Sequence, residues 1–231
     1  MDPKSAGKFV WLQQRATTPD GVYQVLRAAI LDGSVPPGGQ LREAQIAADL
    51  GISRSPLREA LTKLDEEGLI VRVPFRGSFV AQVSAQDVAE ITSLRLRVEP
   101  YAAELSLPAV RGPERRTLTK TTEDLRRATR KKDIPASIDA HLQFHRLFYD
   151  LSGHGALRSL WNGWENKLRL YYMIDTRSYS DLSDLAVAHE RLADVALEGD
   201  IDGFQNELAQ HFQAALRGEI APDGNTPNAP L

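Results

Sequence analysis

Apolar residues recur at helical spacing through the first third of the chain. Three helices are indicated by apolar positions three or four residues apart: Val22, Leu26 and Ile30; Ile46 and Leu50; and Leu57, Leu61 and Leu64. Only Gly51–Ser53 separates the second helix, over about 42–50, from the third. Two helices joined by so short a turn are typical of a helix-turn-helix.

After the third helix the pattern changes to that of β-strands. Two β-prone runs, Ile70–Val73 and Phe79–Val80, flank the dipeptide Arg76-Gly77. Such runs around a glycine-containing tip predict a β-hairpin. Three helices followed by a hairpin predict a winged helix-turn-helix over residues 20–83, preceded by an N-terminal extension at 1–19.

The rest of the chain has helical periodicity throughout. Six helices separated by proline and glycine are expected, at about 84–107, 113–132, 135–152, 155–174, 183–198 and 200–217. Pro108 marks the expected end of the first of them, and a short seventh helix could lie around 176–182. The pattern predicts an all-α antiparallel bundle over 84–218, followed by a disordered tail at 219–231. The predicted fold class is therefore mainly α.

Length and composition limit the possible classes of protein. A chain of 231 residues suits two domains. It contains no cysteine, which excludes disulfides and thiolate metal sites. No apolar run is long enough for a secretory signal or a membrane span. We therefore expect a cytoplasmic protein with no membrane partner.

The start of the third helix carries polar side chains off its apolar face. Arg54, Ser55 and Arg58 lie where a recognition helix meets the bases and phosphates of double-stranded DNA. The full predicted DNA-binding set is Arg42, Ser53, Arg54, Ser55, Arg58, Arg76 and Gly77. Helix-turn-helix folds also occur in proteins that bind no DNA, but three helices and a hairpin in this order favour DNA binding.

The N-terminal third is not strongly basic. Residues 1–83 contain 10 Lys and Arg against 9 Asp and Glu. Part of the acidic charge gathers at Asp65–Glu67, at the far end of the recognition helix, which leaves a local basic face. We expect modest affinity for DNA per subunit, so that two subunits binding together would help.

Four of the five histidines lie on or beside apolar stripes of the bundle. They are His141 and His145 on one helix, His189 on a second and His211 on a third. Two histidines four residues apart share a helix face and can reach one ion, and imidazole suits divalent transition metals. The sequence therefore predicts a shared metal, zinc or alternatively nickel. The alternative for each histidine is an ordinary hydrogen-bonded or solvated side chain, which we expect for His154 in a helix–helix turn.

Arg95 is a second unusual residue on an apolar stripe. It could form an internal ion pair with Glu99, one helical turn later. It could instead bind the carboxylate of a small organic acid, because a guanidinium group binds carboxylates in a bidentate manner. We favour the effector-binding role.

These residues and motifs resemble those of the GntR family of transcriptional regulators, in the FadR-like group with a C-terminal FCD domain. The N-terminal likeness is carried by AILDGSVPPGGQL, LGISRSPLREALTKLDEEGLI and FRGSFV, and the C-terminal likeness by Arg95–Glu99, FHRLFYDLSG, HERLADVALEGD and His211. Six helices in the second domain are similar to the shorter, VanR-like variant. The resemblance implies a homodimer on a palindromic operator, a small carboxylate effector and a metal held by one Asp and three His.

The chain departs from the metal-binding pattern of that family at one position. His145, His189 and His211 match the three histidines, but His141 stands where the family usually has Asp. This difference removes one negative charge from the site, although four imidazoles could still bind zinc or nickel.

Three functions are compatible with these features. The favoured one is a DNA-binding transcriptional regulator controlled by a small organic acid at a metal site. The alternatives are a metal-sensing regulator with no organic effector and a helical metalloenzyme. For the enzyme, Glu190 is the only nearby candidate base, and it points largely away from the other positions of the site.

Overall fold

The computed structural model describes residues 18–175 and 182–217, and the fold class is confirmed as mainly α. In that part of the chain the helices are α1 (Pro19–Leu31), α2 (Glu43–Leu50), α3 (Arg54–Glu66), α4 (Ala85–Val110), α5 (Arg115–Arg130), α6 (Ile134–Leu151), α7 (Gly155–Asp175), α8 (Ser183–Glu198) and α9 (Ile201–Arg217). The strands are β1 (Gln40–Leu41), β2 (Ile70–Val73) and β3 (Gly77–Val80). The predicted tail, most of the predicted extension and most of the suggested helix around 176–182 lie outside the described residues.

Helices α1–α3 and the sheet enclose a core of their own. Gly51 ends α2 in the left-handed conformation, with φ of 66°, and lets α3 start three residues later. Leu57, Leu61 and Leu64 are fully buried on α3, as their spacing predicts. The hairpin β2–β3 is confirmed, and β1 pairs with β3 to make a third strand that the sequence did not predict.

The six helices of the second half lie close to their predicted positions. Ser84 and Asp87 form a capping box at the start of α4. The prediction that Pro108 ends this helix is wrong, because α4 continues to Val110. A proline near the end of a helix removes only one late backbone hydrogen bond, and burial of Val110 stabilises the last turn.

Helix α7 contacts both cores. Most of its buried side chains belong to the bundle core, but Leu170 is fully buried in the N-terminal core. The Asn166 side chain donates a hydrogen bond to the Glu67 carbonyl at the end of α3, at 3.1 Å. No helix within the described ranges is long and apolar enough to cross a membrane.

Candidate metal centre and nucleic-acid interface

All seven residues of the predicted DNA-binding set are exposed. Ser53 occupies the N-cap position of α3, but no hydrogen bond from its side chain caps the helix in the described structure. Arg54 and Ser55 begin the helix, and the Nε atom of Arg58 lies 3.1 Å from the Glu43 carboxylate on α2. The Arg58 side chain remains 66 % exposed, so this pairing orients it without covering it.

Arg72 joins the wing to the recognition helix. Its Nη2 atom donates to the Thr62 hydroxyl at 2.9 Å and to the Arg58 carbonyl at 3.3 Å. Strand β2 is therefore attached directly to the exposed side of α3. The helix and the wing form one continuous surface.

The tip of the wing presents Phe75 and Arg76 to solvent. Phe75 is fully exposed and has a φ of 62°, which is uncommon for a residue other than glycine. The Gln40 side chain donates to the Arg76 carbonyl at 3.0 Å, and Arg42 Nε donates to Gln40 at 3.3 Å. Sequence reasoning missed Gln40 and Phe75, because only the third strand brings Gln40 to the wing.

The four predicted metal-binding histidines lie together in the bundle. His141 and His145 come from α6, His189 from α8 and His211 from α9, and all four are buried. One nitrogen from each ring lies within 4.8 Å of the others. Tetrahedral zinc, with Zn–N distances of about 2.0–2.1 Å, requires nitrogens somewhat closer together, so small side-chain rotations would complete such a site.

Burial keeps these imidazoles neutral. It lowers the pKa of His141, His145 and His211 well below the usual histidine value, and nearby positive charge lowers it further. Burial likewise lowers the pKa of His189 to about 4, although a hydrogen bond to a backbone carbonyl opposes the shift. A neutral imidazole has the free lone pair that a metal requires.

The hydrogen bonds of the rings direct two lone pairs toward each other. His189 Nδ1 lies 2.7 Å from the Leu185 carbonyl oxygen, which can only accept a hydrogen bond. The proton of the neutral ring is therefore on Nδ1, and the Nε2 of His189 has a free lone pair. His145 Nδ1 contacts the Glu99 carboxylate. When that carboxylate is ionised it can only accept a hydrogen bond, so Nδ1 carries the proton and the Nε2 of His145 has a free lone pair too. These two Nε2 atoms are 3.1 Å apart. His141 Nε2 has no hydrogen-bond partner among the described residues. This donor set fits a shared cation.

Arg95 and Glu99 adjoin the histidines and are both fully buried. Arg95 Nε donates to Glu99 Oε2 at 3.0 Å, so the internal ion pair exists. It satisfies only part of the guanidinium group: the Tyr149 hydroxyl is close by, but Nη1 and Nη2 have no partner at full hydrogen-bond geometry among the side chains that the structure describes. The guanidinium carbon lies 4.5 Å from the Phe212 ring centroid and 5.4 Å from that of Trp161.

Glu99 has a second role that the sequence did not predict. Besides pairing with Arg95, it contacts His145 Nδ1 and accepts a hydrogen bond from the Tyr149 hydroxyl at 3.4 Å. Burial raises the pKa of the Glu99 carboxyl, and Arg95 opposes that shift. A carboxylate behind a metal-binding histidine fixes the tautomer and orientation of the ring.

Two further residues behave as expected from the sequence. His154 is exposed, and its Nδ1 accepts a hydrogen bond from the Leu157 backbone amide at 3.3 Å, which caps α7. Glu190 is partly exposed and lies 3.8 Å from Arg126 at the surface. It therefore offers no base at the histidine cluster.

Comparison with known proteins identifies both halves of the chain. Residues 18–80 match the family described as bacterial regulatory proteins, gntR family, and residues 90–214 match the FCD domain. An HTH-type transcriptional regulator of Streptomyces ambofaciens is 30% identical over 196 residues, which cover 84% of this chain and 82% of the relative. The gluconate operon transcriptional repressor of Bacillus subtilis is 27% identical over 185 residues, covering 78% and 75%.

Solved structures give the same result. A GntR transcriptional regulator from Rhodococcus sp. RHA1 superposes with a TM-score of 0.74 at 25% identity, covering 86% of this chain and 95% of that one. The winged helix-turn-helix, the helical second half and the family matches agree with one another. The chain belongs to the GntR family of regulators with an FCD domain, and it is a DNA-binding transcriptional regulator rather than an enzyme.

Proposed function

We propose that a homodimer of this chain binds a palindromic operator through the exposed surface of α3 and the wing. The proposed units are the DNA-binding domain at 20–83 and the helical domain at 84–218. Two recognition helices would enter successive major grooves about 34 Å apart. Arg54 and Arg58 would contact bases and phosphates, Ser53 and Ser55 phosphate oxygens, and Arg42, Arg76 and Gly77 the backbone. The exposure of all seven residues supports this assignment.

Replacing Arg58 by alanine is expected to weaken operator binding by roughly 10- to 100-fold, because a good base contact contributes about 1–3 kcal/mol. Operator sites can be selected from random DNA with the purified protein and measured by fluorescence anisotropy. The control is Arg116→Ala, which removes an exposed arginine from α5 and should bind normally. Unchanged affinity in Arg58→Ala with a native circular dichroism spectrum would contradict the assignment.

We propose that His141, His145, His189 and His211 hold one divalent transition metal, most simply zinc, with nickel as the alternative. The observation that carries this proposal is the convergence of four neutral imidazoles within 4.8 Å in a buried site. With all four imidazoles bound, a tetrahedral metal would have no free position, so a carboxylate oxygen would bind by expanding the coordination number beyond four. Glu99 would hold His145 in the required tautomer, and the Leu185 carbonyl would do the same for His189.

A small organic acid is the proposed effector, with Arg95 as its binding residue. The unpaired Nη1 and Nη2 atoms of Arg95 support this, because two parallel donors match one carboxylate. Burying such donors without a partner costs about 1–3 kcal/mol each. A bound carboxylate would remove that cost.

The route from the site to the DNA-binding surface would run along α7. The Tyr172 ring lies 4.8 Å from the His141 ring, Leu170 is buried in the N-terminal core, and Asn166 bonds to the end of the recognition helix. Effector binding would favour one arrangement of α7 and thereby change the spacing of the two DNA-binding domains in the dimer. Because its partner is bacterial DNA, the protein would act in the cytoplasm.

The test measures operator affinity for metal-free protein, zinc-loaded protein, and zinc-loaded protein with an organic acid. A change of about 5- to 150-fold on adding the acid, typical of allosteric coupling, would support the proposal. A change on adding zinc alone, with no response to any acid, would support the metal sensor instead. The control variant His189→Ala should respond to neither, since it lacks one of the four imidazoles. Equal affinity in all three states would contradict control from this site.

A further inference from the structure

With the proposed divalent metal bound, the buried site would contain more positive than negative charge, and this excess would favour a ligand of matching negative charge. Among the described residues, Glu99 is the only buried acidic side chain and Arg95 the only buried cationic one. The negative charge of Glu99 and the positive charge of Arg95 cancel each other. Four neutral imidazoles add nothing, so a bound divalent metal would leave a net charge of two positive units. Protonation of Glu99 would raise that excess, so it is two units or more in either state.

An uncompensated charge is costly in a site from which water is excluded. His145 and His189 are fully buried, and His141 and His211 are nearly so. A monocarboxylate would cancel only one unit of the excess. A ligand with two negative charges would cancel both, and it would do so where electrostatic interactions are poorly screened.

The unpaired hydrogen-bond donors at and around Arg95 are more numerous than the donors that one carboxylate would occupy. Arg95 offers two unpaired nitrogens, which one carboxylate would occupy. The Trp161 and Trp164 indole nitrogens are buried and likewise unpaired within the described part of the chain. The Trp161 ring lies beside the guanidinium group, and both tryptophan rings pack on Tyr149, with centroids 5.0 and 6.2 Å away. A second acidic group could accept from an indole.

We propose that the effector is a small dianion, of the dicarboxylate class, and that His141 determines this selectivity by being neutral. The inference rests on the proposed metal and effector function. An aspartate at position 141 would lower the excess to one positive unit and favour a monoanion. The residue at position 141 would therefore select the charge of the ligand.

The experiment uses pairs of acids that have nearly the same size but differ by one charge: malonate with its monoamide, and succinate with its monoamide. Each is titrated calorimetrically into the full-length zinc-loaded protein, with zinc content measured beforehand. We expect the dianion of at least one pair to bind more tightly than its monoamide by on the order of tenfold to 100-fold. Comparable binding of the two members of every pair would overturn the proposal.

Two isosteric variants isolate the charge at position 141. His141→Asp adds one negative charge and should shift the ratio of dianion to monoamide affinity toward the monoamide by about tenfold or more. His141→Asn has the same shape without the charge and should keep the preference for the dianion. Identical ratios in these two variants, both with zinc bound, would overturn the proposal.

A third variant tests the charge argument without replacing a proposed metal ligand, which matters if the position-141 variants lose zinc. Glu99→Gln raises the net positive charge by one unit when Glu99 is ionised, and it should increase the preference for the dianion. A decreased preference would overturn the charge argument. Failure of every acid to bind zinc-loaded wild-type protein would instead refute the proposed effector role. Absence of bound zinc would refute the proposed metal site, so the three failures are distinguishable.

Discussion

Acidifying the metal-free protein from about pH 7.5 to about 5.5 is expected to lower its free energy of unfolding by roughly 3–5 kcal/mol. The unfolded chain protonates its histidines below a pKa of about 6.5. In the folded protein burial lowers the pKa of all four clustered histidines, to about 4 for His189. The unfolded state therefore takes up more protons in this window, and stability falls as the pH falls below about 6.5.

Glu99 opposes part of this loss. Burial raises its pKa, so the folded protein can bind a proton there that the unfolded protein does not bind above about pH 4.5. Across the window, protonation of each histidine in the unfolded chain rises from about a tenth to about nine-tenths, so each of the four contributes about 1.4 kcal/mol in total, and Glu99 subtracts part of that sum.

Urea unfolding at several pH values measures this dependence, with His154→Asn as the control. His154 is the exposed fifth histidine and lies outside the cluster, so this variant removes a histidine without touching the buried imidazoles. His189→Asn should reduce the dependence by roughly one proton. Stability that is flat between about pH 7.5 and 5.5 would mean that the cluster is not held neutral by burial.

Replacing Glu99 by alanine is expected to destabilise the protein by about 3–5 kcal/mol, the usual cost of leaving a buried charge without its partner. Arg95 would keep its charge in a fully buried position and lose its 3.0 Å contact. The same substitution would also free His145 Nδ1. Urea unfolding followed by circular dichroism measures the loss.

The matched control removes both charges together. Arg95→Met combined with Glu99→Leu replaces the pair by apolar side chains of similar length, and such replacements are often neutral or even stabilising. The double variant should therefore be more stable than Glu99→Ala. A single variant as stable as the wild type would show that Arg95 is not confined to a buried, unhydrated position.

The helices and the histidine cluster were predictable because local signals determine them. Helix α3 follows from a glycine that ends α2, a polar N-cap position and three leucines on one face. The clustered histidines follow from their placement on apolar stripes, since helices in a bundle turn such stripes toward a common core. Local sequence signals were sufficient for both.

Features that depend on tertiary contacts were not predictable. Strand β1 has only two residues and forms because β3 is beside it. The continuation of α4 past Pro108 depends on burial of Val110 by other helices. The contact between Glu99 and His145 joins α4 to α6, and that between Asn166 and Glu67 joins α7 to α3. Sequence spacing within a single helix contains no information about such pairs.

Calorimetric titration of zinc into protein previously freed of metal by a chelator tests the shared metal centre most directly. The four converging imidazoles predict one zinc per chain with a dissociation constant below about 1 μM and, because burial already holds the imidazoles neutral, little proton release on binding near neutral pH. The His189→Ala variant should bind far more weakly, while His154→Ala should match the wild type. Absence of saturable binding, or equal binding by His189→Ala and the wild type, would contradict a metal held by these histidines.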